Sequence, residues 1–254
     1  MSSAVDPLEG VIEIGSGFGT LTIELSKKFK KVLSIEIDSK IFEILKRNLI
    51  GFTNVKILNC DALKLDFKKI ISEEFNEYKC LAVCANLPYY ATTPLIMSLL
   101  ESDSKIKHIV VMVQKELALR FLAEPGTKDC GAISTSIRFY SIPKILFNVS
   151  RNCFFPVPNV DSSVISFDVI KNNKVKDKEL FFKIVRFVFS KRRKMILNSL
   201  SSSLKIQKCY LLKLLKKLGI HQNSRAENLK FQNFVDISNI LTIEKNILSK
   251  IRFL

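Results

Sequence analysis

A short segment at residues 85–90, ANLPYY, follows an apolar run and carries side chains that the packing of a strand does not require. The side-chain oxygen of Asn86 and the backbone carbonyl of Leu87 are two acceptors that can hold both protons of an exocyclic adenine amine. Pro88 limits the conformations of Leu87 and so helps to fix that carbonyl. Tyr89 offers a flat face on which an extruded base can stack. These groups suit methylation of an amine nitrogen, and a turn in which Asn86 bonds locally is the alternative.

A second aromatic side chain is expected near this segment, because an extruded base has two faces. The segment CFFPVPNVDSSV, residues 153–164, offers Phe154 and Phe155. Pro156 and Pro158 make it extended and rigid, which lowers the entropic cost of ordering a stacking platform. Ordinary core packing is expected for one of the two phenylalanines, and we assign it to Phe155.

Three glycines at alternate positions follow the first predicted strand, in the segment EIGSGFGTL at residues 13–21. Gly15, Gly17 and Gly19 lack a Cβ, so the backbone can turn tightly and approach a ligand at a helix N-terminus. The spacing is GxGxG, whereas the dinucleotide fingerprint is GxGxxG. The glycines alone therefore leave the identity of the cofactor open.

An acidic residue follows each of the next two predicted strands, Glu36 in SIEID and Asp61 in NCDAL. A glycine turn followed by these two acids resembles the S-adenosylmethionine-dependent methyltransferases. The resemblance implies that the turn approaches the amino-acid end of S-adenosyl-L-methionine, that Glu36 binds both ribose hydroxyls and that Asp61 contacts the adenine amine. A carboxylate suits two hydroxyl donors because it has several lone-pair sites. The alternatives are a surface acid at Glu36, a helix N-cap at Asp38 and, for Asp61, a cap on the turn at Ala62.

These residues must be positioned by a sheet, and from Val11 to about Val113 short β-branched runs alternate with longer helical periods. The predicted strands, apolar throughout as in a covered parallel sheet, are Val11–Ile14, Val32–Ile35, Val55–Leu58, Leu81–Ala85 and Ile109–Val113. Helical spacing occurs in GTLTIELSKKF, SKIFEILKRNL, TPLIMSLLES, QKELALRFLAEP and AISTSIRFYS, before a predicted hairpin of KILFNV and SSVISFDVI. This order predicts an α/β fold with a doubly wound, Rossmann-like sheet, mostly parallel with an antiparallel strand at its C-terminal end.

The last third of the chain differs in composition and charge. Residues 171–179 are polar and lack an apolar period, which places a domain boundary there. Three segments beyond them have amphipathic helical spacing, LFFKIVRFVFSKRRKMILNSL, CYLLKLLKKLG and FQNFVDISNIL, with Gly219 as a helix stop. Residues 171–254 hold 20 Lys and Arg against 5 Asp and Glu, a net charge of +15 out of +16 for the chain. We expect a catalytic domain over 1–170 and a small all-α domain over 171–254 that binds nucleic acid, a solvated helix face being the alternative for its lysines.

The bulk composition argues against several classes of protein. Charged residues interrupt every apolar run well before the roughly 20 residues that a membrane-spanning helix needs. The start, MSSAVDPLEG, has neither the basic nor the apolar part of a signal peptide. The six cysteines show no CxxC spacing and the two histidines are isolated, so we expect no metal site and small, buried, reduced thiols. We further expect a cytoplasmic protein that acts as a monomer, without a membrane partner.

Taken together, these motifs resemble the KsgA/RsmA family of rRNA adenine dimethyltransferases, relatives of the Erm resistance methyltransferases. The matching segments, between about Val11 and Leu241, are VIEIGSGFGTLT, IEID, CDAL, ANLPYYATTPLI, VQKELALRFLAEPGTKDCGAIS, FFPVPNVDSSV, KRRKMILNSL and GIHQNSRAENL. The last two lie in the predicted helical domain and favour KsgA over Erm. The family pattern F-x-P-x-P-x-V implies that Phe154 stacks on the base.

The resemblance implies dimethylation of two adjacent adenosines in the 3′-terminal hairpin of 16S rRNA, with the 30S particle as partner during ribosome biogenesis. The implied catalytic residues are Asn86, Leu87, Pro88, Tyr89 and Phe154. The implied cofactor-binding residues are Glu13, Gly15, Gly17, Gly19, Glu36, Ile37, Asp61, Ala62 and Asn86. The expected contacts with rRNA phosphates are Lys191, Arg192, Arg193 and Lys194.

The sequence departs from the family pattern before the glycine strand. Members carry a Gln-Asn-Phe-Leu motif that covers part of the cofactor, and here ten residues precede Val11. We therefore expect weakened cofactor binding, and calorimetry giving an ordinary micromolar affinity would count against this. Ser16 stands where proline is common, and the tail TIEKNILSKIRFL has no family counterpart that we can place.

Two other functions stay open on sequence grounds. An Erm-like enzyme acting on 23S rRNA would share every sheet motif, and methylation of purified small or large subunits separates the two. A non-catalytic RNA-binding assembly factor belongs to a different class. It predicts that Asn86→Ala leaves biological activity untouched.

Overall fold

The structure is a computed structural model that describes residues 1, 9–88, 90–102, 105–171 and 174–251, with side chains described as far as residue 243. Within these ranges one sheet contains seven strands: β1 (Gly10–Ile14), β2 (Lys31–Glu36), β3 (Val55–Asn59), β4 (Leu81–Asn86), β5 (Ile106–Gln114), β6 (Ser141–Val149) and β7 (Ser162–Val169). Their order across the sheet is β3-β2-β1-β4-β5-β7-β6. β7 is antiparallel to both of its neighbours, and the other pairs are parallel. The predicted sheet, with its antiparallel strand at the C-terminal end, is confirmed.

The six helices that begin before β6 are α1 (Thr20–Ser26), α2 (Ser39–Asn48), α3 (Phe67–Glu74), α4 (Thr92–Glu101), α5 (Lys115–Leu122) and α6 (Ala132–Tyr140). The sequence analysis missed α3. Its eight residues bury Phe67 and Ile71, and the Asp66 side chain caps it by accepting the backbone N–H of Lys69 at 3.2 Å. So short a helix leaves too few apolar positions to show a 3.6-residue period.

The strand directions bring the predicted site to one edge of the sheet. β1 to β5 are parallel, so their carboxyl ends, where Gly15, Ile37 and Asn86 lie, meet at the same edge. β7 enters the sheet at this edge, because its first residue, Ser162, pairs with Gln114 at the end of β5. The loop before β7 therefore leaves the sheet on the side of the strand ends.

The chain folds into two compact units. The first comprises Met1–Leu119 and Tyr140–Ile170, and the second comprises Arg120–Phe139 and Lys171–Leu254. Residues 120–139 thus group with the last third of the chain. The ring centroid of Phe139 lies 5.2 Å from that of Phe181 and 4.9 Å from that of Phe182. A sequence boundary drawn at residue 171 cannot show this grouping, because the contacts join residues far apart in the chain.

The last third contains four described helices: α7 (Lys178–Ser190), α8 (Ile196–Leu204), α9 (Lys208–Lys217) and α10 (Phe231–Ile251). Gly219 ends α9 with a φ of +66° and is confirmed as a helix stop. The expectation of continuous helix across residues 180–200 is wrong. α7 and α8 are separated by a turn in which Lys194 N–H donates to the Lys191 carbonyl at 2.8 Å.

The cysteines are less uniformly buried than expected. All six are free thiols, and Cys84 and Cys130 are buried, but Cys153 and Cys209 are exposed. The expectation of buried thiols is therefore wrong for these last two, which lie in a loop and on the outer face of a helix. None of the described helices is both long and apolar enough to cross a bilayer. Nor do the described His, Cys, Asp and Glu side chains form a cluster of three that could hold a metal ion.

Candidate active site

The glycine turn after β1 depends on backbone conformations that other residues rarely adopt. Gly15, Gly17 and Gly19 have φ values of +75°, +56° and +91°. The N–H of Gly15 donates to the Ile35 carbonyl at 2.9 Å, which ties the turn to β2. A Cβ on Gly17 would meet no atom within 4 Å, so this side of the turn is open to a ligand.

Glu36 ends β2 and holds the glycine turn from the other side. Its carboxylate accepts the N–H of Gly17 at 2.8 Å and that of Asp38 at 2.9 Å, and its side chain is buried. The alternative of a surface acid is therefore wrong. Asp38 itself caps α2 by accepting the N–H groups of Lys40 and Ile41, as the alternative for that residue proposed. A carboxylate offers about four acceptor sites, so Glu36 keeps about two for hydroxyl donors.

A pocket joins the ends of the first four strands. Predicted cofactor residues that line it are Gly15, Ile37, Asp61 and Ala62, together with the predicted catalytic residue Pro88. Asp61 also caps the following turn by accepting the Leu63 N–H at 3.0 Å, which uses one of its acceptor sites. The sequence analysis missed an apolar part of the lining, formed by Leu63, Tyr90 and Leu95. In the sequence these residues look like helix or core positions, and only Tyr90, beside the NLPY motif, carried a signal.

Glu13 lies beneath the glycine turn and does not line this pocket. It is 1% exposed, and its Oε2 accepts the hydroxyls of Thr22 at 2.5 Å and Ser34 at 3.1 Å. Burial raises the pKa of the Glu13 carboxyl to about 7, the two hydroxyl hydrogen bonds oppose this shift, and the charge of nearby Glu36 adds to it. Ser34 also shares a hydrogen bond with the Ser16 hydroxyl. Glu13 thus belongs to a buried polar network that connects β1 and β2 with the glycine turn.

Asn86 ends β4 beside the glycine turn. Asn86 is exposed, and a Cβ on Gly15 would lie 3.1 Å from the backbone carbonyl oxygen of Asn86. Leu87 is buried, and the carbonyl of Pro88 accepts the Ala91 N–H at 3.0 Å and the Thr92 hydroxyl at 3.1 Å, which fixes the turn that follows. The amide therefore faces outward at the strand ends. Tyr89 lies outside the described residues.

The loop between β6 and β7 places its two phenylalanines differently. Phe154 is half-buried, and its N–H donates to the Arg151 carbonyl at 3.2 Å. Phe155 is fully exposed. The assignment of Phe155 to core packing is therefore wrong. Two adjacent phenylalanines have the same hydrophobicity, so only the path of the loop decides which ring points outward.

The glycine turn, the two acids and the Asn86 amide lie along one edge of the sheet, in the arrangement that the sequence predicts for a methyltransferase. A family model described as ribosomal RNA adenine dimethylase matches residues 2–243. The chain belongs to this family. The resemblance to the KsgA/RsmA rRNA adenine dimethyltransferases is thereby confirmed, and the protein is an S-adenosylmethionine-dependent enzyme of this class.

Two relatives are similar over most of the chain. The ribosomal RNA small subunit methyltransferase A of Alkaliphilus oremlandii is 43% identical over 234 residues, 91% of this chain and 81% of that protein. The protein of the same name from Geobacillus thermodenitrificans is 43% identical over 237 residues, with the same coverage.

Solved structures agree with this family. A dimethyladenosine transferase from Plasmodium falciparum has a TM-score of 0.78 and 26% identity, covering 96% of this chain and 93% of that one. The 23S rRNA methyltransferase ErmE has a TM-score of 0.73 and 21% identity, covering 94% and 93%. The second similarity shows a shared fold and does not bear on the substrate.

The residues at the strand ends fit the cofactor of this dimethylase family. S-adenosylmethionine supplies an electrophilic methyl group on a positively charged sulfur. The open side of Gly17 leaves room for a ligand next to the backbone, and Glu36 keeps acceptor sites for hydroxyls beside it. Asp61, one strand further along the sheet edge, lines the pocket at the strand ends together with Gly15 and Ile37. Glycine turn, buried acceptor and second acid thus lie in the order that a nucleoside with an amino-acid tail requires.

The four predicted rRNA-binding residues lie in the turn between α7 and α8, and they differ in their surroundings. Arg192 donates to the carboxylate of Glu227 at 2.8 Å and to the backbone carbonyl of Lys128. The Lys191 ammonium donates to the Ser202 hydroxyl at 2.8 Å. Arg193 and Lys194 are exposed. This turn thus combines two cations, Lys191 and the exposed Arg192, that hydrogen-bond to other segments of the helical unit with two, Arg193 and Lys194, that face solvent.

Proposed function

We propose that this dimethylase transfers two methyl groups to each of two adjacent adenosines in the 3′-terminal hairpin of 16S rRNA. The observation that carries this proposal is the position of Asn86, which is exposed at the end of β4 and whose backbone carbonyl lies beside Gly15 of the glycine turn. The choice of the small subunit is supported by the relatives at 43% identity, which are named as small-subunit methyltransferases.

The chemistry assigned to the chain is positioning of an amine. The lone pair of an exocyclic adenine nitrogen is delocalised into the ring, which makes it a poor nucleophile. The Asn86 side-chain oxygen and the Leu87 carbonyl accept hydrogen bonds from the two N–H groups of the amine. These bonds orient the nitrogen lone pair towards the methyl donor. Phe154 stacks on the extruded base, as does Tyr89 on the other face. No strong general base is required, because the proton leaves once the nitrogen is positively charged, and catalysis rests on orientation and exclusion of water.

The remaining assignments follow from this substrate. Residues 171–254, with a net charge of +15, bind rRNA phosphates, and Arg193 and Lys194 are the cations of the α7–α8 turn that remain available for this role. A ribosomal particle as substrate places the enzyme in the cytoplasm. One chain carries every proposed catalytic residue, so it acts as a monomer.

The proposal is tested by methyl transfer from labelled cofactor to unmethylated 30S particles, with 50S particles in parallel. We expect dimethyladenosine in 30S alone. Asn86→Ala should lower the rate on the order of 100-fold, because the amine is no longer oriented. Asn76→Ala, a substitution of an exposed asparagine outside the proposed catalytic and RNA-binding residues, is the matched control. Label incorporated into 50S instead, or an Asn86→Ala variant of normal rate, would refute the proposal.

A further inference from the structure

Phe155 is the most exposed of the large apolar side chains that the structure describes, with its whole side chain open to solvent. Val157, two residues further along the same loop, is 56% exposed. Single exposed apolar residues are common on protein surfaces, so exposure by itself carries little weight. The loop that presents Phe155, its position and its charged neighbours give this ring a more specific meaning.

The loop holds the Phe155 ring outward through a set of local hydrogen bonds. The N–H of Arg151 donates to the Asp161 carboxylate at 3.1 Å, and its guanidinium donates to the Asn159 carbonyl at 3.4 Å. These bonds link the two ends of the loop across residues 151–161. Pro156 and Pro158 restrict the backbone between them. An aromatic ring on a pre-ordered loop loses little entropy when a partner binds.

The same loop lies at the edge of the sheet where Asn86 lies. β4 and β7 flank β5, and Ser162 begins β7 opposite the last residue of β5. Neighbouring strands are about 4.8 Å apart, and Asn86 pairs with Met112, two residues before Gln114, so the strand ends that carry Asn86 and this loop are roughly 12 Å apart. RNA bound at the proposed catalytic site would therefore lie near this loop.

A pocket of about 320 Å³ borders the loop and contains both donors and acceptors for a nucleotide. Lys115 and Arg151 contribute cationic donors to its lining, and Glu116 contributes a carboxylate. Arg151 has five N–H donors on its guanidinium and uses one of them on Asn159, so others remain for a phosphate. The carboxylates of Glu116 and Asp161 balance the positive charges of Lys115 and Arg151, so the pocket lining has no net charge. It therefore suits one nucleotide, with a phosphate for the cations and a base amine for Glu116, better than a bare polyanion.

We propose that Phe155 and this pocket form a subsite for the nucleotide that flanks the methylated adenosine. Its base stacks on the Phe155 ring, and its phosphate is held by Lys115 and Arg151. The inference rests on the proposed function, since it assumes RNA at this edge of the sheet. It assigns to Phe155 a role separate from that of Phe154, which contacts the target base itself.

The subsite is tested with Phe155→Ala, Phe155→Tyr and Lys115→Gln in the full chain. Stacking of one base on an aromatic ring changes affinity by about 5- to 150-fold. We expect Phe155→Ala to raise the KM for unmethylated 30S particles about tenfold while leaving the affinity for S-adenosylmethionine unchanged. Phe155→Tyr, which keeps the stacking face, should stay within about twofold of the wild type. Lys115→Gln should reduce the slope of log affinity against log salt by about one.

Phe147→Ala is the matched control, because Phe147 is a partly exposed aromatic residue on β6 outside both proposed sites. A Phe155→Ala variant with wild-type KM for 30S particles would overturn the subsite. So would a variant that changes the sedimentation of the protein but not its RNA affinity, because the ring would then contact a second copy. Wild-type turnover on 30S reports on the proposed function, and the ratio of variant to wild type reports on this subsite, so the two failures are distinguishable.

Discussion

At the scale of single residues, Glu13 has the most unusual environment in the site. One carboxylate oxygen accepts two hydroxyls, and the other is buried without a hydrogen-bond partner among the described residues. Removal from water disfavours the charged form, which is why the pKa of Glu13 rises from 4.5 to about 7. Burial likewise raises the pKa of the neighbouring Cys84 thiol to about 12, and the charge of Glu13 adds to that shift. A negative charge is therefore unfavourable at the buried positions of Glu13 and Cys84 beneath the glycine turn.

This environment predicts a pH-dependent stability. Between pH 4.5 and about 7 the native protein holds a proton on Glu13 that the unfolded chain has released, so stability falls as the pH rises through this window. A shift from 4.5 to about 7 corresponds to a loss of about 3 kcal/mol. Glu13→Gln should remove this part of the dependence, measured by urea unfolding at pH 5 and pH 8. The control is Glu24→Gln on the exposed face of α1, and equal pH dependence in Glu13→Gln and wild type would contradict the prediction.

At the scale of elements, the turn between α7 and α8 shows that a run of cations can have two functions. Arg192 bridges Glu227 and the Lys128 carbonyl, which come from segments 35 and 64 residues away in the chain. A partly exposed ion pair contributes little alone, but a guanidinium that also holds a backbone carbonyl fixes three segments at once. Arg193 and Lys194 project from the same turn into solvent.

Substitutions should distinguish the structural role of Arg192 from the RNA-binding role of Arg193 and Lys194. Arg192→Ala should lower the stability of the protein by about 1 to 2 kcal/mol, measured by urea unfolding, because it removes hydrogen bonds from a charged donor. The double variant Arg193→Ala/Lys194→Ala should unfold like wild type. It should bind 30S particles more weakly and reduce the salt slope of binding by about two. As a control, Lys68→Ala at an exposed position of the first unit should change neither the stability nor the binding to 30S particles. A loss of stability in the double variant but not in Arg192→Ala would contradict the assignment.

At the scale of the whole molecule, the chain crosses between its two compact units more than once. Residues 120–139 are followed by β6 and β7 of the sheet, yet they group with residues 171–254. Phe139 shows the reason, since its ring packs against Phe181 and Phe182 of α7. The basic last third is therefore not an independent domain that a single linker connects to the preceding chain.

A cut at the predicted boundary should damage the remaining fragment. In residues 1–170, Phe139 loses the rings of Phe181 and Phe182, and exposing its ring costs about 2 kcal/mol by itself. We expect the fragment to melt at a lower temperature than the full chain and to bind more of a hydrophobic dye such as ANS. A fragment that unfolds cooperatively at the temperature of the full chain would show that residues 120–139 need no support from residues 171–254.

Much of the sheet and the layout of the site could be predicted from local sequence. β-branched runs mark buried parallel strands, and Gly15, Gly17 and Gly19 mark a turn that only glycine adopts easily. The order of glycine turn, Glu36, Asp61 and Asn86 follows from the order of the strands, because parallel strands bring their carboxyl ends together. Each of these signals lies within a few neighbouring residues, so no knowledge of distant contacts was needed.

What the tertiary structure alone decided depends on contacts between distant residues. Local pattern did not separate Phe154 from Phe155, since both are apolar and adjacent, and only the folded loop turns one ring outward. Nor did it show that Arg192 is engaged by Glu227, or that Glu13 is enclosed by Thr22 and Ser34. Burial and hydrogen-bond partners are properties of the packed chain. The sequence by itself therefore determined the order of the predicted groups along the sheet edge, and the tertiary structure decided which of them line the pocket and which lie buried beneath it.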